Sequence, residues 1–131
     1  MLDDRKEEIR KAWLELMEKI HDANTDLIAR AEQYGLTAEL IEQEDTLKIM
    51  LDMPPSTSYS QRVGQVTIKL DDETDQIIGF IVSDVTQYAT QHPEQFDVML
   101  PALRKFGTIH LPARSQGAER MAQSLRELVP A

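Results

Sequence analysis

An α+β domain is the fold class this sequence predicts: an antiparallel β-meander of three to four strands packed against a long N-terminal helix, with two or three shorter helices toward the C-terminus. Three observations carry that prediction. The stretch Val63 to Asp84, VGQVTIKLDDETDQIIGFIVSD, sets two apolar arms around an acidic turn, as a β-hairpin does. Residues Asp3 to Tyr34 carry apolar side chains at spacings of three and four, the period of one helix face. Beyond Asp84 the apolar residues return to helical spacing and are punctuated by Pro and Gly.

The bulk numbers set the frame for these elements. A chain of 131 residues with 41% hydrophobic residues fits one domain, 1–131, able to bury a core of its own. Its formal charge of −9 repels phosphate backbones and anionic lipids, so neither nucleic acid nor a membrane is an expected partner. The absence of cysteine excludes disulfides, thiolate metal sites and Cys nucleophiles. The opening MLDDRKEEIRKAW has no apolar signal core and no apolar run reaches membrane length, which makes the cytoplasm the expected address. Charge is uneven: from Arg104 onward five basic residues face two acidic ones, which reads first as a solvated, Arg-rich helix face and otherwise as a basic tail that folds back on the acidic body or reaches a neighbouring copy.

In chain order, the first stripe comprises Ile9, Trp13, Leu16, Ile20, Ala23 and Leu27, widened by Met17, Ile28 and Ala31 and interrupted by Arg30. Asp3, Asp4, Glu7 and Glu8 sit where the helix dipole favours acids, and Gly35 is a natural C-terminal cap. Unbroken, such a helix runs on the order of 45 Å, against about 20 Å for an average strand. It therefore either breaks near His21 to Asn24, with Asn24 capping a second helix, or lays its surplus stripe on something else. Leu36 to Gln43 alternates as a strand does, although TAELIEQ also suits a helix; the strand is favoured because Glu44-Asp45 makes a tight connection to the firmer strand Thr46 to Met53. Pro54-Pro55 ends that strand, and PPSTSYSQR, Pro54 to Arg62, reads as a loop with Tyr59 as its aromatic group.

In the central hairpin, Val66, Ile68 and Leu70 alternate with polar residues, so one face is buried. Its second arm is apolar on both faces and needs cover on both sides, from helices or from a second subunit. Gly79, set on one face with Ile77 and Ile81, leaves room for a helix or an aromatic ring to approach the sheet. Asp84 with Gln87 forms a capping-box pattern for a short helix with Val85, Tyr88 and Ala89 turned inward. Pro93 opens a second helix through Phe96, Met99, Leu100, Leu103 and Phe106, which Pro101 should kink or split and Gly107 close. Thr108 to Leu111 is a short extended piece. Ser115 caps a last helix with Met121, Leu125 and Leu128 on one side, ended by Pro130.

Catalytic signatures are missing from the chain. Asp71, Asp72, Glu73 and Asp75 crowd the central turn, yet without the alternating acids, central Gly and distal Glu of a calcium loop they read as a solvated β-turn. His21, His92 and His110 have no metal-type spacing. No serine stands in a nucleophile elbow and no Gly-rich phosphate loop exists. No catalytic residue, metal site or cofactor is therefore expected, while a site built from scattered residues stays open.

Glu44 to Asp52, EDTLKIMLD, with Val66 to Asp84, VTIKLDDETDQIIGFIVSD, resembles a widespread family of very small bacterial proteins of unknown function, in which the second hairpin arm reads hydrophobic, hydrophobic, Gly, hydrophobic, acid, hydrophobic. Ile77, Ile78, Gly79 and Phe80 fit that pattern. Asp75 stands where the family has a turn Gly, and Ile81 where it has an acid. The resemblance covers 44–84, about a third of the chain, and implies a β-meander and nothing about activity. On these grounds the expected function is a non-enzymatic, homodimeric protein-interaction module, an adaptor or chaperone-like protein, with Trp13, Leu16, Ile20, Tyr59, Ile77 and Ile81 as candidate interaction residues. The alternative is a small-molecule-binding protein or enzyme with a pocket between sheet and helices, lidded by Pro54 to Arg62.

Overall fold

The computed structural model describes residues 2–54, 56–96 and 99–128. Expectations for Pro55 and Pro130, and for the side chains of Asp3, Asp4, Leu125 and Leu128, fall outside them. The long helix breaks where the sequence allows it: α1 runs Leu2–Ala23 and α2 Leu27–Tyr34. Gly35 (φ 82°) closes α2, its N–H donating to the Ala31 carbonyl. Then come β1 Leu36–Ile41, a 3-10 turn at Glu42–Glu44, β2 Thr46–Leu51, β3 Ser58–Val63, β4 Val66–Asp71 and β5 Ile77–Val82. The chain continues as α3 Val85–Gln91, α4 Pro93–Phe96, α5 Met99–Phe106, β6 Thr108–Leu111 and α6 Gln116–Leu128.

The strands form one antiparallel sheet of six, ordered β3-β4-β5-β2-β1-β6. The α+β class is as expected; the strand number and the simple meander are not. β1 and β2 form a hairpin, the chain then crosses to the far edge, and β3-β4-β5 meanders back until β5 pairs with β2. The additional strands are β6, which pairs with β1, and β3, which lies within the stretch Pro54 to Arg62 that reads as loop. β3 is an edge strand of mostly polar residues, SYSQRV, and it forms because β4 would otherwise present a bare row of backbone groups.

The helices cover one sheet face, where Leu36, Leu47, Ile49, Ile68, Leu70 and Phe80 join Ile20, Ala31, Val85 and Leu103 in one buried cluster. β4 alternates cleanly between buried and half-buried, as its sequence predicts. β5 does not: a bulge opposite Lys69/Leu70 pairs Leu70 with Ile77 and Lys69 with Gly79, so Ile77 and Phe80 both face the helices while Gly79 and Ile81 face away. Gly79 and Ile77 therefore do not share a face, and neither helix nor aromatic ring approaches Gly79. Instead the Met50 side chain of β2 lies over it, and a Cβ there would stand 2.9 Å from the Ile49 carbonyl oxygen. Gly79→Val is expected to lower the thermal midpoint by several degrees, corresponding to about 1–3 kcal/mol of overpacking, and an unchanged midpoint in differential scanning calorimetry would refute this.

Caps divide by distance. Ser115 Oγ accepts from the Ala118 N–H at 3.1 Å, as the local sequence implies. Asp84 makes no side-chain cap; the Asp45 carboxylate, 41 residues back, accepts from the Thr86 N–H at 3.3 Å and from its hydroxyl at 2.6 Å. The run from Pro93 to Phe106 is split into α4 and α5, as expected, with Pro101 in the first turn of α5, where its missing N–H has no helical partner to lose. Phe106 ends α5 pointing outward, 68% exposed, rather than inward with Leu103. The basic tail folds back, with α6 packed on α2.

Candidate interaction surface

The fold leaves two surfaces open, one apolar and one of mixed polarity. The first is α1. Ile9, Trp13, Leu16, Met17 and Ile20 lie along one side of the helix at spacings of three and four. Burial follows position along that side: Ile20 is 1% exposed and Met17 7%, Trp13 is 38% and Ile9 67%. The stripe that seals the core at the C-terminal half of α1 thus continues onto a half that covers nothing, and every residue from Arg5 to Glu15 is exposed. The second is the sheet face opposite the helices. Thr37, Lys48, Met50, Thr67, Lys69 and Ile81 stand on it, half-buried and outside the buried core cluster. Ile81 lies between Lys48 of β2 and Thr67 of β4.

A polar cluster fixes where α1 leaves the sheet. Asn24, 8% exposed, donates from Nδ2 to the Ile20 carbonyl at 2.7 Å and the Asp75 carbonyl at 3.0 Å. Its Oδ1 accepts from the Ile77 N–H and from Arg30 Nη2, each at 2.6 Å. Arg30, 6% exposed, also donates from Nη1 to the Ile77 carbonyl at 2.8 Å and from Nε to Asp26 Oδ1 at 3.1 Å. Asn24 is therefore a buried junction between the helix break and the start of β5, not a helix cap. Arg30 interrupts the apolar stripe because its charge is held there by backbone and carboxylate acceptors.

Asp75, in the left-handed conformation that glycine favours (φ 59°), extends this junction outward. Its Oδ1 accepts from the Tyr59 hydroxyl at 2.5 Å and its Oδ2 pairs with Lys19 Nζ at 3.0 Å. The Tyr59 hydrogen bond, aided by Lys19, holds the Asp75 carboxyl below the usual range. Burial, then the Asp75 bond, pushes Tyr59 up to about 12. A raised folded-state value means that Tyr59 contributes stability fully present below about pH 10 and lost as pH rises toward 12. A tyrosinate absorbance titration should therefore contain a late phase that Tyr59→Phe diminishes, and a late phase unchanged by that substitution would refute the assignment. Asp71 Oδ1 accepts from the Glu73 and Thr74 N–H groups at 2.8 and 3.0 Å. The acids of this turn thus brace its backbone, and among the described residues no three His, Asp or Glu side chains form a metal-holding group.

At the opposite end of the sheet lies a cleft of about 190 Å³ lined by Leu40, Glu42, Asp45, Val85, Leu100 and Arg104. The Thr57 carbonyl accepts from the Asp72 N–H beside the β4–β5 turn, so the loop that precedes β3 lies at the other end of the sheet from this cleft. His110 on β6 meets Asp52 at 3.1 Å and Thr37 at 3.2 Å on the bare sheet face, in an open, solvated cluster.

Of the six candidate interaction residues, Ile20 and Ile77 are core, at 1% and 0% exposure, and cannot present a surface. Tyr59 is half-buried and bonded to Asp75, Leu16 sits at the boundary of core and overhang, Trp13 is on the overhang, and Ile81 is on the bare face. Ile9 and Leu14, the latter 56% exposed, are further members of the open surface. Ile9 was within reach of sequence reading as the next residue of the stripe.

Together these features define a six-stranded α+β sheet with helices on one face and an overhanging amphipathic N-terminal helix. Among the described residues no helix is long and apolar enough to cross a membrane. The chain matches no protein-family model, no curated protein and no solved structure, so the likeness of 44–84 to small bacterial β-meander proteins rests on strand patterning alone.

Proposed function

We propose that this protein is a non-enzymatic, cytoplasmic protein-interaction module that works as a homodimer. One observation carries the reading: the apolar face of α1 continues from buried Ile20 and Met17 to exposed Trp13 and Ile9 with no change of direction on the helix. An amphipathic face of this kind in an isolated chain is an interaction surface, because water is a poor neighbour for indole and branched aliphatic groups held rigidly side by side. The acidic balance, a formal charge of −9, directs partners away from nucleic acid and toward other polypeptides. Light scattering across a dilution series tests it. The expected mass is twice the 15.0 kDa of one chain. A monomer at every concentration overturns the homodimer.

A further inference from the structure

We infer that a second copy of this chain adds along β3, joining two sheets antiparallel into one, with each α1 crossing the seam onto the other copy. This rests on the homodimeric reading above and names its interface.

The two sheet edges are built differently. β6 has four residues and runs into Pro112, and the chain just beyond it is tied down, the Arg114 N–H donating to the Glu32 carbonyl at 2.7 Å. β3 pairs with β4 over all six of its residues without a bulge, contains no proline and carries one charge, Arg62. The usual means of blocking an edge are lacking there. Val63 pairs with Val66 across the two-residue turn Gly64-Gln65, so the backbone groups of Val63, Gln61 and Tyr59 turn toward β4 while those of Arg62, Ser60 and Ser58 turn outward. A single side-chain contact covers that outward row, Gln61 Nε2 on the Arg62 carbonyl at 3.2 Å, and it is solvent-exposed and easily displaced.

The strand is self-complementary. Paired antiparallel with its own copy about Ser60, it sets Ser60 against the partner's Ser60, Ser58 against the partner's Arg62 and Tyr59 against the partner's Gln61. No like charges meet, although the chain as a whole is strongly acidic.

The helix overhang lies on this same side. Asn24 bonds both the Ile77 N–H on β5 and the Asp75 carbonyl, and one turn and more back along α1 Lys19 reaches the Asp75 carboxylate, which also accepts from Tyr59 on β3. In the inferred arrangement α1, followed back from Asn24, heads past Asp75 toward the β3 edge, about 10 Å from β5 at the usual strand spacing. Arg5 to Glu15 continues outward for about 16 Å more. Ile9 and Trp13, on the face that Ile20 turns to the core, then hang over the place where a seventh strand would lie. On the core side of β3, Tyr59 and Val63 pack against the margin of the core cluster and stay half-buried. A second copy supplies both missing parts at once, a strand for the edge and a surface for the helix. A lone peptide strand would satisfy the edge and leave α1 bare.

The chain has no cysteine, so single-cysteine variants of the full protein report the contact directly. In the seam the two Ser60 Cα atoms stand about 5.5 Å apart, within bridging distance. Ser60→Cys is expected to give a covalent dimer under mild oxidation, and Thr90→Cys, exposed on α3, is not. Ser60→Pro, at an N–H that faces outward, is expected to be monomeric by light scattering with an unchanged circular dichroism spectrum. Trp13→Glu is expected to weaken self-association at least about tenfold. A light-scattering dimer that Ser60→Cys fails to cross-link and Ser60→Pro fails to dissociate overturns the seam and leaves the homodimer standing. Cross-linking with full retention of affinity in Trp13→Glu overturns the crossing of α1, and a monomer at all concentrations overturns both readings.

Discussion

Replacing Asn24 with alanine is expected to destabilise the protein by about 3–5 kcal/mol, the range for breaking a buried, charge-bearing network by removing one partner. The side chain fills all of its hydrogen-bonding capacity, with both Nδ2 protons on carbonyls and Oδ1 shared between Arg30 and the Ile77 N–H. Alanine would leave a buried guanidinium nitrogen and a buried N–H unpaired at once, each loss worth about 1–3 kcal/mol. Against a typical total of about 5–15 kcal/mol this is a large fraction, equivalent to a fall in thermal midpoint on the order of 10 °C or more. Urea unfolding followed by circular dichroism measures it, and a loss under about 1 kcal/mol would mean that water replaces the amide and that the junction does not hold the helix break in place.

Phe80→Ala is the second large effect, expected at about 3–5 kcal/mol for an aromatic truncated in a close-packed core. Phe80 is fully buried and lies between Ile68 of β4 and Ile49 of β2 at the centre of the sheet. The neighbouring residue makes the comparison sharp. Ile81 faces the bare side, and Ile81→Ala should cost under about 1.5 kcal/mol because less of its surface leaves water on folding. The ordering of the two variants reads out the phase of β5, and a larger loss at Ile81 than at Phe80 would place the bulge wrongly.

Local determinants are what the sequence made legible. β2 and β4 alternate strictly, and Gly35 and Ser115 act within four residues of themselves, so all four could be read from their neighbours. β5 could not be phased, because the bulge that turns both Ile77 and Phe80 inward is a property of its pairing with β4. SYSQRV carries no apolar alternation, and β3 exists to complete β4 rather than to bury itself. The Asp45 cap and the Asn24–Arg30 junction join residues 41 to 53 apart, and an isolated Arg in an apolar stripe says only that some acceptor must come from elsewhere. In the interaction surface, Trp13 could be read as core or interface from its place on the stripe, and only the position at which α1 leaves the sheet shows it to be exposed. Ile20 and Ile77 could not be assigned to the core, since only the assembled packing shows where the overhang begins.

The junction at Asn24 also sets an order of events during synthesis. Its downstream partners, the Asp75 carbonyl and the Ile77 N–H of β5, lie 51 and 53 residues on, and β2 finds its second neighbour only in β5. A chain emerging N-terminus first thus holds α1, α2 and the β1–β2 hairpin with the outer edge of β2 unpaired and Arg30 Nη1 without its carbonyl acceptor until Ile77–Val82 has been made. Long-range closure of this kind is slow relative to helix formation. Folding commitment therefore falls late, and a ribosome stalled before β5 would carry a nascent chain with two separate hairpins, β1–β2 and β3–β4, and no joined sheet to anchor its helices.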